Sequence, residues 1–249
     1  MRREDTVKKN LLERVLRGFG YDLKAVGSPP RGFPASLAHA RAAGLAPRTV
    51  FDVGVGRGTP WLYAAFPEAR HVLFEPLEVF GSDLDRLAAE LSADVHRVAL
   101  SNRSGTATFR RHVDFPTSSS LYDIDPQFDA YSRRVQGQHR FEEQTVPLAT
   151  LDELNRYEPP FVLKLDVEGA ERDVIEGAGN TLRSTELLIA EISVMRRRRD
   201  EPGFADMIGL LDSVGFELFD VPELAQGADG TLRYLDAVFV PKGSRLWPS

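Results

Sequence analysis

Apolar positions along the chain follow two rhythms. Between Glu4 and Arg17, Val7, Leu11, Leu12, Val15 and Leu16 recur at three- and four-residue spacing, which predicts a helix. "GSPPRGFP", Gly27 to Pro34, breaks the chain, and "ASLAHARAAG" predicts a second helix that stops at Gly44. From Thr49 the texture changes to short apolar runs: "TVFDVG", "HVLFEP", "DVHRVAL", "FVLKLDVEG" and "ELLIAEIS". Each ends in a polar or glycine-bearing turn, and helical patterns such as "EVFGSDLDRLAAEL" lie between most of them. Near-continuous apolar strands alternating with helices predict a parallel sheet covered on both faces, an α/β doubly wound, Rossmann-like domain. A helix over Phe204 to Val214 follows, and then "GFELFDV" and "LRYLDAVFVP" predict an antiparallel hairpin at the sheet edge.

One stretch does not fit this alternation. About sixty residues separate "RVALSN" from "FVLKLD", more than one crossover helix needs. "GTATFRRHV" alternates like a strand, "DFPTSSSLYDIDPQ" is loop-like, and "EEQTVPLATLDELN" predicts a strand followed by a helix capped by Thr150. The expected organisation is an N-terminal helical segment, 1–45, and a main domain, 46–249, with an insertion at about 102–158. Loops beside strand ends are where specificity usually resides.

Composition narrows the chemistry. A hydrophobic content of 42% supports a packed core, and the absence of cysteine excludes disulfides, thiolate metal sites and cysteine nucleophiles. The net charge of −6 disfavours a nucleic-acid partner. The charged N-terminal stretch lacks the apolar region of a signal peptide, and no run approaches the ~18 apolar residues of a membrane span. The expectation is a soluble, cytoplasmic protein.

The first strand ends in "FDVGVGRG", an acid and three alternating glycines: Asp52, Val53, Gly54, Gly56, Gly58. Glycines there let the backbone bend and approach a ligand, and ligands of open parallel sheets sit outside the carboxyl ends of the strands. A dinucleotide fingerprint would require its third glycine at position 59, which is Thr59. Asp52 beside a pyrophosphate would also set anion against anion. A cationic donor removes that conflict, and S-adenosylmethionine carries both an ammonium and a sulfonium. Glu75, followed by Pro76 at the tip of the second strand, suits both ribose hydroxyls, and Ala99 and Leu100 would flank the adenine. An NAD-dependent oxidoreductase is the alternative that the glycine spacing opposes; a cofactor-binding protein without activity is another.

With "VFDVGVGRG", "VLFEP", "RVALSNRSGTATF", "TVPLATLDEL", "LKLDVEGAERDVIEGA" and "DAVFVP" in this order, the sequence resembles the FkbM family of S-adenosylmethionine-dependent methyltransferases. The resemblance covers about Thr49 to Val240. It implies a class I methyltransferase fold, seven strands with the last antiparallel, and O-methylation of a small-molecule hydroxyl on a sugar, glycolipid or natural product. It also implies that Asp52, Gly54, Gly56 and Glu75 hold the cofactor and that Lys164, Asp166 and Glu168 form the reactive core. Val55-Gly56-Arg57 departs from the family's usual Ala-Asn in the turn. The oligomeric state, monomer or homodimer, is open.

An alcohol acceptor needs a base. Asp166 is the first candidate, Glu168 the second and His112 the third, the last because the insertion could fold over the site and histidine titrates near neutrality. Asp166 also suits the methionine ammonium, and Glu171 suits the start of the next helix. A buried Lys164 needs a partner, named here as Glu191 or a carboxylate near the site. Asp166, Glu168 and Glu191 are oxygen ligands suited to Mg²⁺, although the spacing requires no metal. The "RRRR" run, Arg196 to Arg199, reads as a solvated loop in preference to an acceptor-binding patch. "SSS", Ser118 to Ser120, reads as an ordinary loop.

Overall fold

The structure, a computed structural model, describes residues 32–136, 139–227 and 229–247, so the helix expected over Glu4 to Arg17 lies outside the described residues. The described chain begins with α1, Phe33–Ala42, which ends before Gly44 at φ 103°, the stop expected there. The strand and helix segments then alternate: β1 (Thr49–Val53), α2 (Pro60–Ala65), β2 (Arg70–Phe74), α3 (Gly81–Leu91) and β3 (Asp94–His96). After the insertion come β7 (Phe161–Leu165), α6 (Glu171–Glu176), α7 (Gly179–Leu182), β8 (Thr185–Ser193), α8 (Phe204–Ser213), β9 (Phe216–Gln226) and β10 (Leu232–Pro241).

These strands form a seven-stranded sheet in the order β3-β2-β1-β7-β8-β10-β9. β10 runs antiparallel to both neighbours, β8 and β9, and the other pairings are parallel. Every residue of β1 and of β7 is buried, as strands covered on both faces must be. Successive side chains point to opposite faces. Phe51, Val53, Leu163, Leu165, Leu188 and Met207 pack in one core layer. Val50, Leu73, Val162, Ile189, Leu37 and Leu84 pack in the other.

The segment between β3 and β7 builds a second sheet from β4 (Ala99–Leu100), β5 (Gly105–His112) and β6 (Phe141–Ala149), in the order β4-β6-β5. α4 (Pro126–Gln136) lies between β5 and β6 in sequence, and α5 (Leu151–Leu154) follows β6. Thr150 caps α5 in a reciprocal capping box with Glu153, as its sequence predicts. "DVHRVAL" is not one strand. Asp94–His96 stays in the main sheet, Arg97 turns out to Asp85 at 2.6 Å, and Ala99–Leu100 pairs with β6 instead. Among the described residues no helix is long and apolar enough to cross a membrane.

Candidate active site

A cavity of about 380 Å³ opens along the carboxyl ends of the parallel strands. Its floor is the turn after β1. Gly54 has φ 79°, and a Cβ there would stand 1.8 Å from the Asp166 carbonyl oxygen. Only glycine therefore lets the ends of β1 and β7 approach this closely. Gly56 N–H donates to Glu75 Oε2 at 2.9 Å and Leu77 N–H to Oε1 at 3.0 Å. Burial pushes the Glu75 carboxyl above its ordinary range, against the pull of those two N–H groups. The carboxylate is thereby fixed in orientation at the tip of β2.

Behind this turn lies a buried charge pair. Asp52 has no exposure to water. Its Oδ2 accepts from the Tyr63 hydroxyl at 2.6 Å, and Lys164 Nζ lies 3.1 Å from its Oδ1. The same ammonium donates to the Gly54 carbonyl at 3.0 Å and lies 3.4 Å from Asp166 Oδ2. The partner of Lys164 is thus not Glu191. Strand register sets Lys164 beside Asp52, and Asp166 follows two positions on along β7, so local geometry supplies both carboxylates. Burial works against the ammonium, but Asp52 and Asp166 more than offset it and raise its pKa. Lys164 is a fixed cation. Asp166, by contrast, keeps 43% of its side chain exposed in the cavity.

A second charge network lies toward β8. The loop of Arg196 to Arg199 is held by Glu201, whose Oε2 accepts the Arg197 and Arg198 N–H groups at 2.6 and 2.9 Å. Arg196 and Arg199 point to solvent, but Arg197 and Arg198 are buried. Arg197 pairs with Glu191 and, at 3.3 Å, with Glu168; Arg198 reaches Glu168 at 3.1 Å and the Ser118 carbonyl at 2.7 Å. The solvated-loop reading therefore fails for these two residues, because buried acids at the ends of β7 and β8 draw them inward. Ser120 donates to the Glu168 carbonyl at 2.7 Å, so the serine loop is not an ordinary one either. It ties the insertion to the residue at φ 56° after β7. Carboxylate oxygens of Asp166, Glu168 and Glu191 come within 4.8 Å of one another. Guanidinium groups already neutralise Glu168 and Glu191, so this acid cluster by itself assigns no ion. Glu171 accepts from Val167 and Gly169 N–H groups at 3.0 to 3.3 Å and shapes the turn before α6.

Of the residues singled out in the sequence, Val53, Gly54, Gly56, Glu75, Pro76, Ala99, Leu100, Lys164, Asp166, Glu168 and Glu191 line the cavity. Asp52 stands behind its wall, engaged by Lys164 and Tyr63. His112 does not reach it. Its ring is buried against His139, 2.8 Å away, and Phe115 and Phe141, because β5 turns that face into the insertion's own packing. Sequence reasoning passed over Tyr234, Asp236 and Glu223, which line the far end, and Phe80 and Phe109, which line the near end. The signal for Asp236 was present: it is an acid inside the apolar run "LDAVFV".

The sheet order, with a single reversed strand next to the edge, defines a class I methyltransferase fold. The FkbM methyltransferase domain matches residues 52–218, and the chain belongs to that family of methyltransferases. S-adenosylmethionine is its cofactor. No curated protein sequence matches the chain. Among solved structures it is similar to magnesium protoporphyrin IX methyltransferase from Synechocystis PCC 6803 with bound SAM. That match has 15% identity and a TM-score of 0.43, over 83% of this chain and 77% of that one. It is also similar to the 1,6-didemethyltoxoflavin-N1-methyltransferase of Burkholderia thailandensis, at 14% identity and a TM-score of 0.42, over 84% and 76%.

Proposed function

We propose that the protein transfers a methyl group from S-adenosylmethionine to a hydroxyl of a small polar acceptor, a sugar, glycolipid or natural product. The observation that carries this reading is the polarity of the cavity. Its β2–β4 end joins a pinned acid, Glu75, to an apolar wall of Leu100, Phe80 and Phe109. Its β7–β10 end presents carboxylates.

The residues fit the donor. When bound, S-adenosylmethionine supplies an electrophilic methyl group carried on a sulfonium. Glu75, with each oxygen held by one backbone N–H, retains lone pairs for ribose hydroxyls. The apolar wall shields a purine from water. Asp166 offers its exposed carboxylate to the ammonium, while Lys164 keeps that carboxylate in place. Asp52 acts from behind by holding Lys164. Much of the rate enhancement follows from alignment, which can be worth ~7–11 kcal/mol.

Calorimetry tests the donor. S-adenosylmethionine should bind and NAD should not; absence of donor binding sinks the reading. Asp166→Asn should preserve the circular dichroism of the fold and weaken donor binding at least about tenfold, in line with a charged hydrogen bond worth ~1.5–3 kcal/mol.

A further inference from the structure

Four ionisable side chains fall on one face of the sheet, level with the carboxyl ends of the parallel strands: Asp52 and Lys164, register partners on β1 and β7, and then Glu191 and Asp236, register partners on β8 and β10. Their face is that of Val162, Ile189 and Val238, the layer covered by α1, α2 and α3. Asp236 also faces Glu223 on β9, so three carboxylates stand side by side across β8, β10 and β9. Like charges directly opposite on neighbouring strands are destabilising, so such a row is kept at a cost.

The members of the row differ in what they can do. Glu191 is engaged by Arg197, Glu168 by Arg197 and Arg198, and Asp166 lies beside Lys164. Proton uptake by any of these three would break an ion pair, and Glu223, on the edge strand β9, is exposed to water. Asp236 lines the cavity and, among the described residues, its side chain has no hydrogen-bond or ion-pair partner. The β9–β10 ladder shifts register between Asp236 and Val238, the kind of irregularity that re-aims a side chain beside a site.

We propose that Asp236 is the carboxylate that accepts the proton of the acceptor hydroxyl during methyl transfer. This rests on the O-methyltransferase reading above. The hydroxyl oxygen forms the new bond to the methyl carbon. The carbon–sulfur bond breaks with its electron pair left on sulfur, and the O–H proton passes to an Asp236 carboxylate oxygen. The carboxylate and the sulfonium are both neutral afterwards, so charge balances. The surroundings favour proton uptake at this position. Burial, then Asp166 and Glu223, push the Asp236 carboxyl up to about 7, against Lys164 and Arg197. Glu191 on β8 and Tyr234 on its own strand line the cavity beside it. A base that titrates near the working pH is the most effective one.

The experiment has two arms on the full chain. In the first, binding of S-adenosylmethionine and of S-adenosylhomocysteine is measured at pH 7 in two buffers of different ionisation enthalpy. Arrival of the sulfonium should expel a proton from Asp236, so the methyl donor releases protons that the thioether product does not. Asp236→Asn should abolish that difference while both ligands still bind, and Asp236→Glu should retain it. An unchanged difference in Asp236→Asn overturns the assignment, whereas absence of donor binding overturns the cofactor reading instead. In the second arm, methyl glycosides of common hexoses are offered as acceptors. Wild-type turnover should rise with pH through about 7, and Asp236→Asn should lose ~10²–10⁴-fold together with that rising limb. Ether formation with an unaltered profile in the variant overturns the role of Asp236 alone. Absence of any ether counts against a hexose acceptor, and the proton count of the first arm then decides the assignment of Asp236.

Discussion

Without Lys164, Asp52 would be an anion with no exposure to water and, among the described residues, the Tyr63 hydroxyl as its one remaining side-chain donor. Breaking a buried ion pair from one side leaves an uncompensated charge, at a cost of ~3–5 kcal/mol. Lys164→Met is therefore expected to lower the urea midpoint sharply, by an amount equivalent to several kcal/mol. Lys164→Met combined with Asp52→Asn should recover much of that loss, since the double change leaves no unpaired charge. If the double variant is no more stable than the single one, the pair is not what the lysine serves. The same residue shows what sequence can and cannot say. That a lysine inside "FVLKLD" needs a partner was legible from burial alone. Which acid it meets depends on strand register, and register placed Asp52 opposite Lys164 while Glu191 went to an arginine.

Gly54 couples two elements. Its φ of 79° and the 1.8 Å gap between a Cβ and the Asp166 carbonyl mean that Gly54→Ala must push the ends of β1 and β7 apart. The expected loss is roughly 2–4 kcal/mol from strain and overpacking together. Donor affinity should fall further than stability explains, because Asp166 moves with the strand end. Gly179→Ala is the control: a Cβ there meets nothing within 4 Å, and alanine is the better helix former. Denaturation and donor calorimetry on the two variants should diverge; equal behaviour would remove the close-approach argument. At this scale the sequence was most readable where signals are local. The strand-end glycines, the Thr150 cap, the hairpin of β9 and β10 and the helix before it follow from neighbours in the chain. The division of "DVHRVAL" does not, because the partner that draws Ala99–Leu100 away is β6, some fifty residues downstream.

Across the whole molecule, the site draws on the glycine turn, the tip of β2, the ends of β7 and β8, the middle of β10 and the insertion's loop. The first half of that list carries acid and glycine motifs that are legible in the sequence. Arg197, Arg198 and Asp236 are not, since their meaning lies in which charges they meet or fail to meet. The resulting surplus of buried acids makes stability depend on pH in an unusual direction. Burial pushes the Glu171 carboxyl up to about 7, and burial with Asp166 and Glu223 does the same for Asp236. A carboxyl raised in the folded state holds its proton more tightly there than in the unfolded chain. Its penalty is fully present well above pH 7 and is relieved as pH falls through about 7 toward the unfolded value near 4. Buried His71 and His112 and half-buried His96 act oppositely: burial lowers their pKa, so acidification below about 6.5 favours the unfolded state. Stability should therefore peak near neutrality. The two contributions separate in Glu171→Gln, which keeps an oxygen for the Val167 and Gly169 N–H groups but cannot titrate. Between pH 8 and pH 6, the stability difference between wild type and this variant should move in favour of wild type by about 1 kcal/mol. Urea titrations of both proteins at the two pH values read it directly. A difference that stays constant, or moves toward the variant, would mean that Glu171 is already charged at pH 6 and that the turn before α6 is held by an ordinary carboxylate.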